Sequence, residues 1–164
     1  NKTPMNVSSV MTRRVAKVRE RTTFRELWRL IVRKKVNAVP VVDRTNKLVG
    51  LVTKEDLLKS LYPDYREYVD EFAAPGDYEA MERKIRDRIG LKAKDVMSTR
   101  VIFTFEDTPV MRALSRMIVR RVNQLPVLSD GGIVVGMVTK GDIFTALFQK
   151  HLQKGDGRKK KRRG

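Results

Sequence analysis

The sequence predicts an α/β (α+β) fold built from two β-α-β-β-α motifs that pack against each other and are joined by a helical connector. Two observations carry this. The 164-residue chain matches itself at an offset of 86, with roughly 17 identities in 52 ungapped positions. Within each copy, the apolar spacing alternates between strand-like and helix-like periods.

The copies read the same way in order. Val10-Met11 and Val96-Met97 open them. A short strand follows, Val15 to Val18 and Val101 to Phe105. The first helix of copy one has Thr23 and Glu26 at capping-box spacing, with Phe24, Leu27, Trp28 and Ile31 on one face. In copy two, Thr108-Pro109 reads as an N-cap hydroxyl followed by proline at the first helical position. Val110, Leu114, Met117 and Ile118 make its apolar face. Next come buried strands at Val39 to Val42 and Leu125 to Leu128. The turns Asp43 to Lys47 and Asp130 to Gly132 have hairpin chemistry and lead to strands Leu48 to Val52 and Ile133 to Val138. A closing helix begins near Thr53 and near Thr139.

The organisation is then an N-terminal segment (1–9), motif one (7–61), a connector (62–92), motif two (93–153) and a basic disordered tail (154–164). In the connector, Pro63 breaks a helix. Tyr65, Tyr68, Val69 and Phe72 share a face, and Pro75-Gly76 is a turn. Asp77 can cap a second helix carrying Tyr78, Met81, Ile85 and Ile89, ended by Gly90. Gly155-Asp156-Gly157 reads as a flexible joint before the cationic run Arg158 to Arg163.

Composition narrows the chemistry. The chain has no cysteine and one histidine, His151. That excludes disulfides, cysteine-based zinc sites and thiol nucleophiles, and leaves little for histidine acid–base chemistry. Nothing matches a phosphate-binding loop or a dinucleotide fingerprint, so no enzyme activity and no metal are expected. No apolar run approaches a membrane span and no secretory h-region opens the chain, which points to a cytoplasmic location. The net charge is +17, which favours anionic partners. It is uneven: residues 10–61 hold 14 Lys and Arg against 5 Asp and Glu, residues 96–147 hold 6 against 4, and the connector 62–95 is acidic.

Gly50-Leu51-Val52-Thr53-Lys54-Glu55-Asp56 recurs as Gly136-Met137-Val138-Thr139-Lys140-Gly141-Asp142. Asn37-Ala38-Val39-Pro40-Val41-Val42-Asp43 recurs as Asn123-Gln124-Leu125-Pro126-Val127-Leu128-Ser129. With the opening Val-Met pairs, each copy resembles a CBS motif, named after cystathionine β-synthase, and the tandem resembles a CBS pair, or Bateman module. The resemblance covers about residues 7–152. It implies two CBS motifs packed about a pseudo-twofold axis, with two clefts at their junction that bind adenosine-containing ligands (AMP, ADP, ATP or S-adenosylmethionine). It also implies a homodimer, and a regulatory role towards an unknown protein rather than catalysis.

Thr53 with Asp56, and Thr139 with Asp142, have capping-box spacing on their own. The same geometry offers a phosphate the N–H groups of a helix start, and offers a ribose diol a carboxylate. The resemblance places ribose on these aspartates, and phosphate or ribose on these threonines. It places adenine against Val15-Ala16 and Val101-Ile102, and against Asn37-Ala38-Val39-Pro40 and Asn123-Gln124-Leu125-Pro126. By periodicity alone these stretches read more readily as plain core than as ligand wall. Related kinase-associated sensors carry an arginine two residues before the proline; Ala38 and Gln124 stand there instead. Lys54, Lys140, Arg14, Arg100, Lys35 and Arg121 are candidate substitute phosphate cations, each more often a solvated surface charge. Glu55 against Gly141, and Ala38 against Gln124, make the two sites unequal. The alternative function is nucleic-acid binding through the basic first repeat and the Lys/Arg tail.

Overall fold

In a computed structural model, the chain is described over residues 5–61 and 77–160, with side chains over 5–61 and 78–152. The expectations for Pro63, Tyr65, Tyr68, Val69, Phe72 and Pro75-Gly76 fall outside these residues. The chain forms two compact units. The central unit is Ala16–Val101; the terminal unit joins residues 5–15 to 102–160.

In the central unit, α1 (Phe24–Lys34) starts at a complete capping box. The Thr23 hydroxyl accepts from Glu26 N at 3.3 Å, and the Glu26 carboxylate accepts from Thr23 N at 3.0 Å. Phe24, Leu27 and Ile31 are buried, with Trp28 packed at the edge. The helix ends on Lys35 in the left-handed region (φ 52°). β1 (Ala38–Val42) is buried at every position and pairs antiparallel with β2 (Leu48–Thr53). α2 (Lys54–Leu61) follows without a loop. α3 (Asp77–Arg88) and the short α4 (Ala93–Val96) complete the unit.

The terminal unit repeats the plan. α5 (Val110–Arg120) packs on the sheet of β3 (Thr104–Phe105), β4 (Gln124–Leu128) and β5 (Val134–Thr139), and α6 (Lys140–Lys160) closes it. β3 pairs parallel with β4, and β4 pairs antiparallel with β5. Both hairpins carry one bulge at the same place, between Val41 and Val42 and between Val127 and Leu128. In the second turn, Gly131 and Gly132 sit at φ 81° and 82°, a region that favours glycine.

The opening segments of the repeats are exchanged. Val7, from repeat one, is fully buried among Val110, Met117, Leu125 and Val138 of repeat two. Ala93, from repeat two, is fully buried among Phe24, Leu27, Val39 and Val52 of repeat one. The backbone bonds match. Val110 N donates to Met5 O at 2.9 Å, and Phe24 N donates to Leu91 O at 2.7 Å. Thr12 bridges Met137, and Ser98 bridges Leu51. The compact units therefore cut across the sequence repeats.

This exchange corrects one expected helix start. Pro109, not Thr108, is the N-cap of α5, with no side-chain cap bond. The first free N–H of α5 is taken by the carbonyl of Met5, so the Thr108 hydroxyl has no capping task there.

Four other expectations change. The first strands shrink: Val15 to Val18 keeps one bridge, Val18 to Val41, and Val101 to Phe105 keeps only Thr104–Phe105. Ile118 is 58% exposed, because α5 turns it away from the face formed by Val110, Leu114 and Met117. On α3, Tyr78 and Ile85 are exposed. The helical backbone of α6 continues through Gly155-Asp156-Gly157 to Lys160 in place of a joint. Extending an existing helix costs far less than starting one, and even a glycine costs only about 1 kcal/mol.

The first turn contains a tuned carboxylate. Asp43 accepts from the Thr45 hydroxyl at 2.7 Å, from Thr45 N at 2.8 Å and from Lys47 N at 3.1 Å. The Thr45 hydroxyl is the largest influence holding its pKa below the ordinary 3.8. A carboxylate with a lowered folded pKa stabilises the fold above its unfolded pKa, and that contribution is lost as pH falls through the lowered value. Thr45→Val is expected to move the Asp43 midpoint upwards, read by carboxyl-carbon NMR titration. An unmoved midpoint would show that the hydroxyl is not the cause.

Candidate functional site

The candidate residues gather at one end of each hairpin. Ala38 lies opposite Thr53 in register, and Gln124 lies opposite Thr139. The carbonyl of Asn37 accepts from Lys54 N at 2.8 Å, and that of Asn123 accepts from Lys140 N at 3.0 Å. Each bond ties the entry of the buried strand to the first turn of the closing helix. Within each unit the Asn-x-x-Pro and Thr-x-x-Asp elements therefore form one local structure.

At the helix starts the capping spacing becomes a reciprocal pair of bonds. Thr53 N donates to Asp56 Oδ2 and Asp56 N donates to Thr53 Oγ1, both at 3.0 Å. Thr139 N donates to Asp142 Oδ2 at 2.9 Å, and Asp142 N donates to Thr139 Oγ1 at 3.0 Å. All four side chains are part-buried. The cap uses one carboxylate oxygen. Among the described residues Oδ1 of each aspartate has no hydrogen-bond partner. Each threonine hydroxyl accepts through its oxygen and keeps its proton to donate. The box thus fixes two rotamers and still presents an acceptor and a donor side by side, next to the N–H groups of a helix start.

Val39 and Leu125 are fully buried in the two cores, and Pro40 and Pro126 are buried with them. These four are core residues, and Val39 and Leu125 present no side-chain surface. Ala38 is also buried, while Asn37 and Asn123 are exposed and Gln124 is half-buried. Val15, Ala16, Val101 and Ile102 are half-buried. They mark the two places where the chain passes between units, Val15 to Ala16 and Val101 to Ile102. Lys54 is exposed and Lys140 half-buried; Arg14, Arg100, Lys35, Arg121 and His151 are exposed.

Gly50 and Gly136 serve packing. A Cβ on Gly136 would lie 2.8 Å from Thr12 O and 2.9 Å from Met11 Sδ. A Cβ on Gly50 would overlap Met97 Sδ and lie 2.9 Å from Met97 Cγ. The Val-Met pair that opens each repeat is thus the partner of the glycine in the other repeat. Sequence reading also missed the left-handed C-caps at Lys35 and Arg121 (φ 52° and 56°), because neither position holds the glycine that marks such a cap.

The family model described as CBS domain matches residues 7–63 and 93–149. An uncharacterised protein of Methanocaldococcus jannaschii, MJ1426, is 26% identical over 134 residues, covering 75% of this chain and 80% of that one. The chain spans about a quarter of homoserine O-acetyltransferase from Methanococcus vannielii, at 27% identity. Among solved structures, CBSX2 in complex with AMP has a TM-score of 0.69 at 26% identity, covering 89% of this chain and 98% of that one; CBSX2 is from Arabidopsis thaliana. The CBS domain pair of protein MJ0100, in complex with 5′-methylthioadenosine and S-adenosyl-L-methionine, has a TM-score of 0.70 at 22% identity, covering 90% and 99%. No described helix is long and apolar enough to cross a membrane.

Proposed function

This chain belongs to the CBS-domain family, and from that premise we propose a regulatory, non-catalytic module that binds an adenosine-containing ligand at Thr53/Asp56 and Thr139/Asp142. The observation that carries the proposal is the doubled Thr–Asp box, which leaves one carboxylate oxygen and one hydroxyl proton available at each helix start. A carboxylate oxygen suits a ribose hydroxyl, and the hydroxyl and helix N–H groups suit a phosphate. AMP in the CBSX2 structure supports this class of ligand. MJ0100 shares the fold at 22% identity.

The two sites differ in their phosphate chemistry. Glu55 adds a negative charge to the first turn of α2, where Gly141 stands in α6. Neither site has an arginine two residues before its proline. Adenine nucleotide therefore binds more tightly at Asp142 than at Asp56. Occupancy acts by shifting the population between two arrangements of the protein, which an unidentified regulated protein reads.

Calorimetry with AMP, ADP, ATP and S-adenosylmethionine tests this. Asp142→Asn keeps an acceptor for the cap but removes the charge, and is expected to abolish the tighter event. Asp56→Asn is expected to abolish the weaker one. If only Asp→Ala variants lose binding, the aspartates act as helix caps alone. No heat with any adenosine compound at millimolar concentration sinks the proposal.

A further inference from the structure

The outward face of α1 carries Arg25, Arg29 and Arg33 at helical i, i+4, i+8 spacing, all exposed. Successive arginines are about 6 Å apart along the axis. Among the described residues, none of the three forms an ion pair. Glu26, the one acid on the helix, is held by the Thr23 backbone in the capping box. Like charges at i, i+4 oppose helix formation. The buried face, with Phe24, Leu27 and Ile31, makes no use of them. The fold therefore does not explain the row.

α5 also carries a row, Arg112, Arg116 and Arg120, but its surroundings differ. Met111, Ile118 and Val119 are exposed beside it, and the Arg116 guanidinium lies 5.8 Å from the centre of the Phe103 ring. On α1 the one exposed large apolar neighbour is Val32. A protein interface needs a buried apolar or aromatic centre, and a membrane-surface helix needs an apolar face to insert. The α1 face offers neither. It offers planar, permanently charged forks that match phosphate oxygens in pairs. The excess of 14 Lys and Arg over 5 Asp and Glu in residues 10–61 adds long-range attraction.

We propose that the Arg25–Arg29–Arg33 row of α1 is a docking surface for the phosphate backbone of double-stranded nucleic acid, read without regard to base sequence. No aromatic side chain lies in the row to stack on a base, so the contact is electrostatic and salt-dependent. The row shares no residue with the Thr–Asp boxes, and the proposal stands whether or not they bind an adenosine ligand.

The test uses the full chain, with its C-terminal Lys/Arg run intact, and a fluorescent DNA duplex of about 30 base pairs and random sequence. Anisotropy is followed between roughly 50 and 200 mM salt. One variant carries Arg25→Gln, Arg29→Gln and Arg33→Gln. A second carries Arg112→Gln, Arg116→Gln and Arg120→Gln, with the same change in net charge. The α1 variant is expected to bind at least about tenfold more weakly, with a salt slope shallower by between about two and three. The α5 variant is expected to lose less than about twofold. Equal losses in the two variants would mean that net charge alone matters, and would overturn the proposal. So would no loss in either, no binding by the unaltered chain, or row-dependent binding to phosphatidylserine vesicles in place of DNA. Thermal melting of the α1 variant at or above that of the parent confirms that the fold survives.

Discussion

Val7→Asp is expected to destabilise the terminal unit strongly, although Val7 belongs to the first sequence repeat. Val7 has no exposed surface and packs with Leu125, Val127 and Val138. An aspartate there has no described charged partner, so it must enter the core ionised and unpaired or take up a proton. The expected loss is about 4 kcal/mol or more, a large share of the roughly 5–15 kcal/mol that holds a domain together. Amide hydrogen exchange gives the readout. Protection is expected to fall first in β4 and β5, while β1 and β2 keep theirs longer. Protection lost first from β1 and β2, the hairpin of Val7's own repeat, would contradict the exchange of opening segments.

Gly136→Ala is expected to cost about 1–3 kcal/mol, and Gly50→Ala clearly less. The two glycines occupy equivalent positions but face different atoms. The new methyl at 136 meets the backbone carbonyl of Thr12, which already accepts from Met137 N at 3.0 Å. That carbonyl moves only by giving up its bridge. The three atoms nearest the new methyl at 50 all belong to the side chain of Met97, whose outer atoms can rotate away. Double-mutant cycles separate the cases. Met97→Ala should largely rescue Gly50→Ala, whereas Met11→Ala should leave most of the Gly136→Ala loss in place. Thermal denaturation of the six variants provides the comparison. Full rescue by Met11→Ala would show that the methionine, not the carbonyl, is the obstacle.

What was legible in the sequence was mostly local. The Thr23–Glu26, Thr53–Asp56 and Thr139–Asp142 boxes close within three residues, so spacing alone reveals them. The paired hairpins follow from apolar strands on either side of turn residues, and both are present with their bulges. Offset matching exposed the repeat but not the exchange. Val10-Met11 and Val96-Met97 are alike, so sequence similarity cannot say which glycine each pair covers. The same blindness misplaced the start of α5, whose first N–H is satisfied by Met5, more than a hundred positions away in the chain. Exposure on a helix failed where two adjacent apolar residues compete for the inner face: Met117 is buried and Ile118 is not. At the site, the Thr–Asp capping pairs were legible. The burial of Val39 and Leu125 was legible from the run of apolar residues alone, whereas the resemblance had also set them against adenine.

The exchange of opening segments also sets a timetable for the newborn chain. Residues Met5 to Thr12 are made well before Met137, the β5 residue to which Thr12 bonds. At roughly 5–20 residues per second, that partner arrives about 6–25 s later. The stretch from Ala16 to Val101 is complete in the meantime. Until the residues from Ile102 onward are made, Val7, Val10 and Met11 lack their native apolar partners from the second repeat. Residues Met5 to Thr12 are therefore a segment that a chaperone meeting nascent chains would cover until their partners are made.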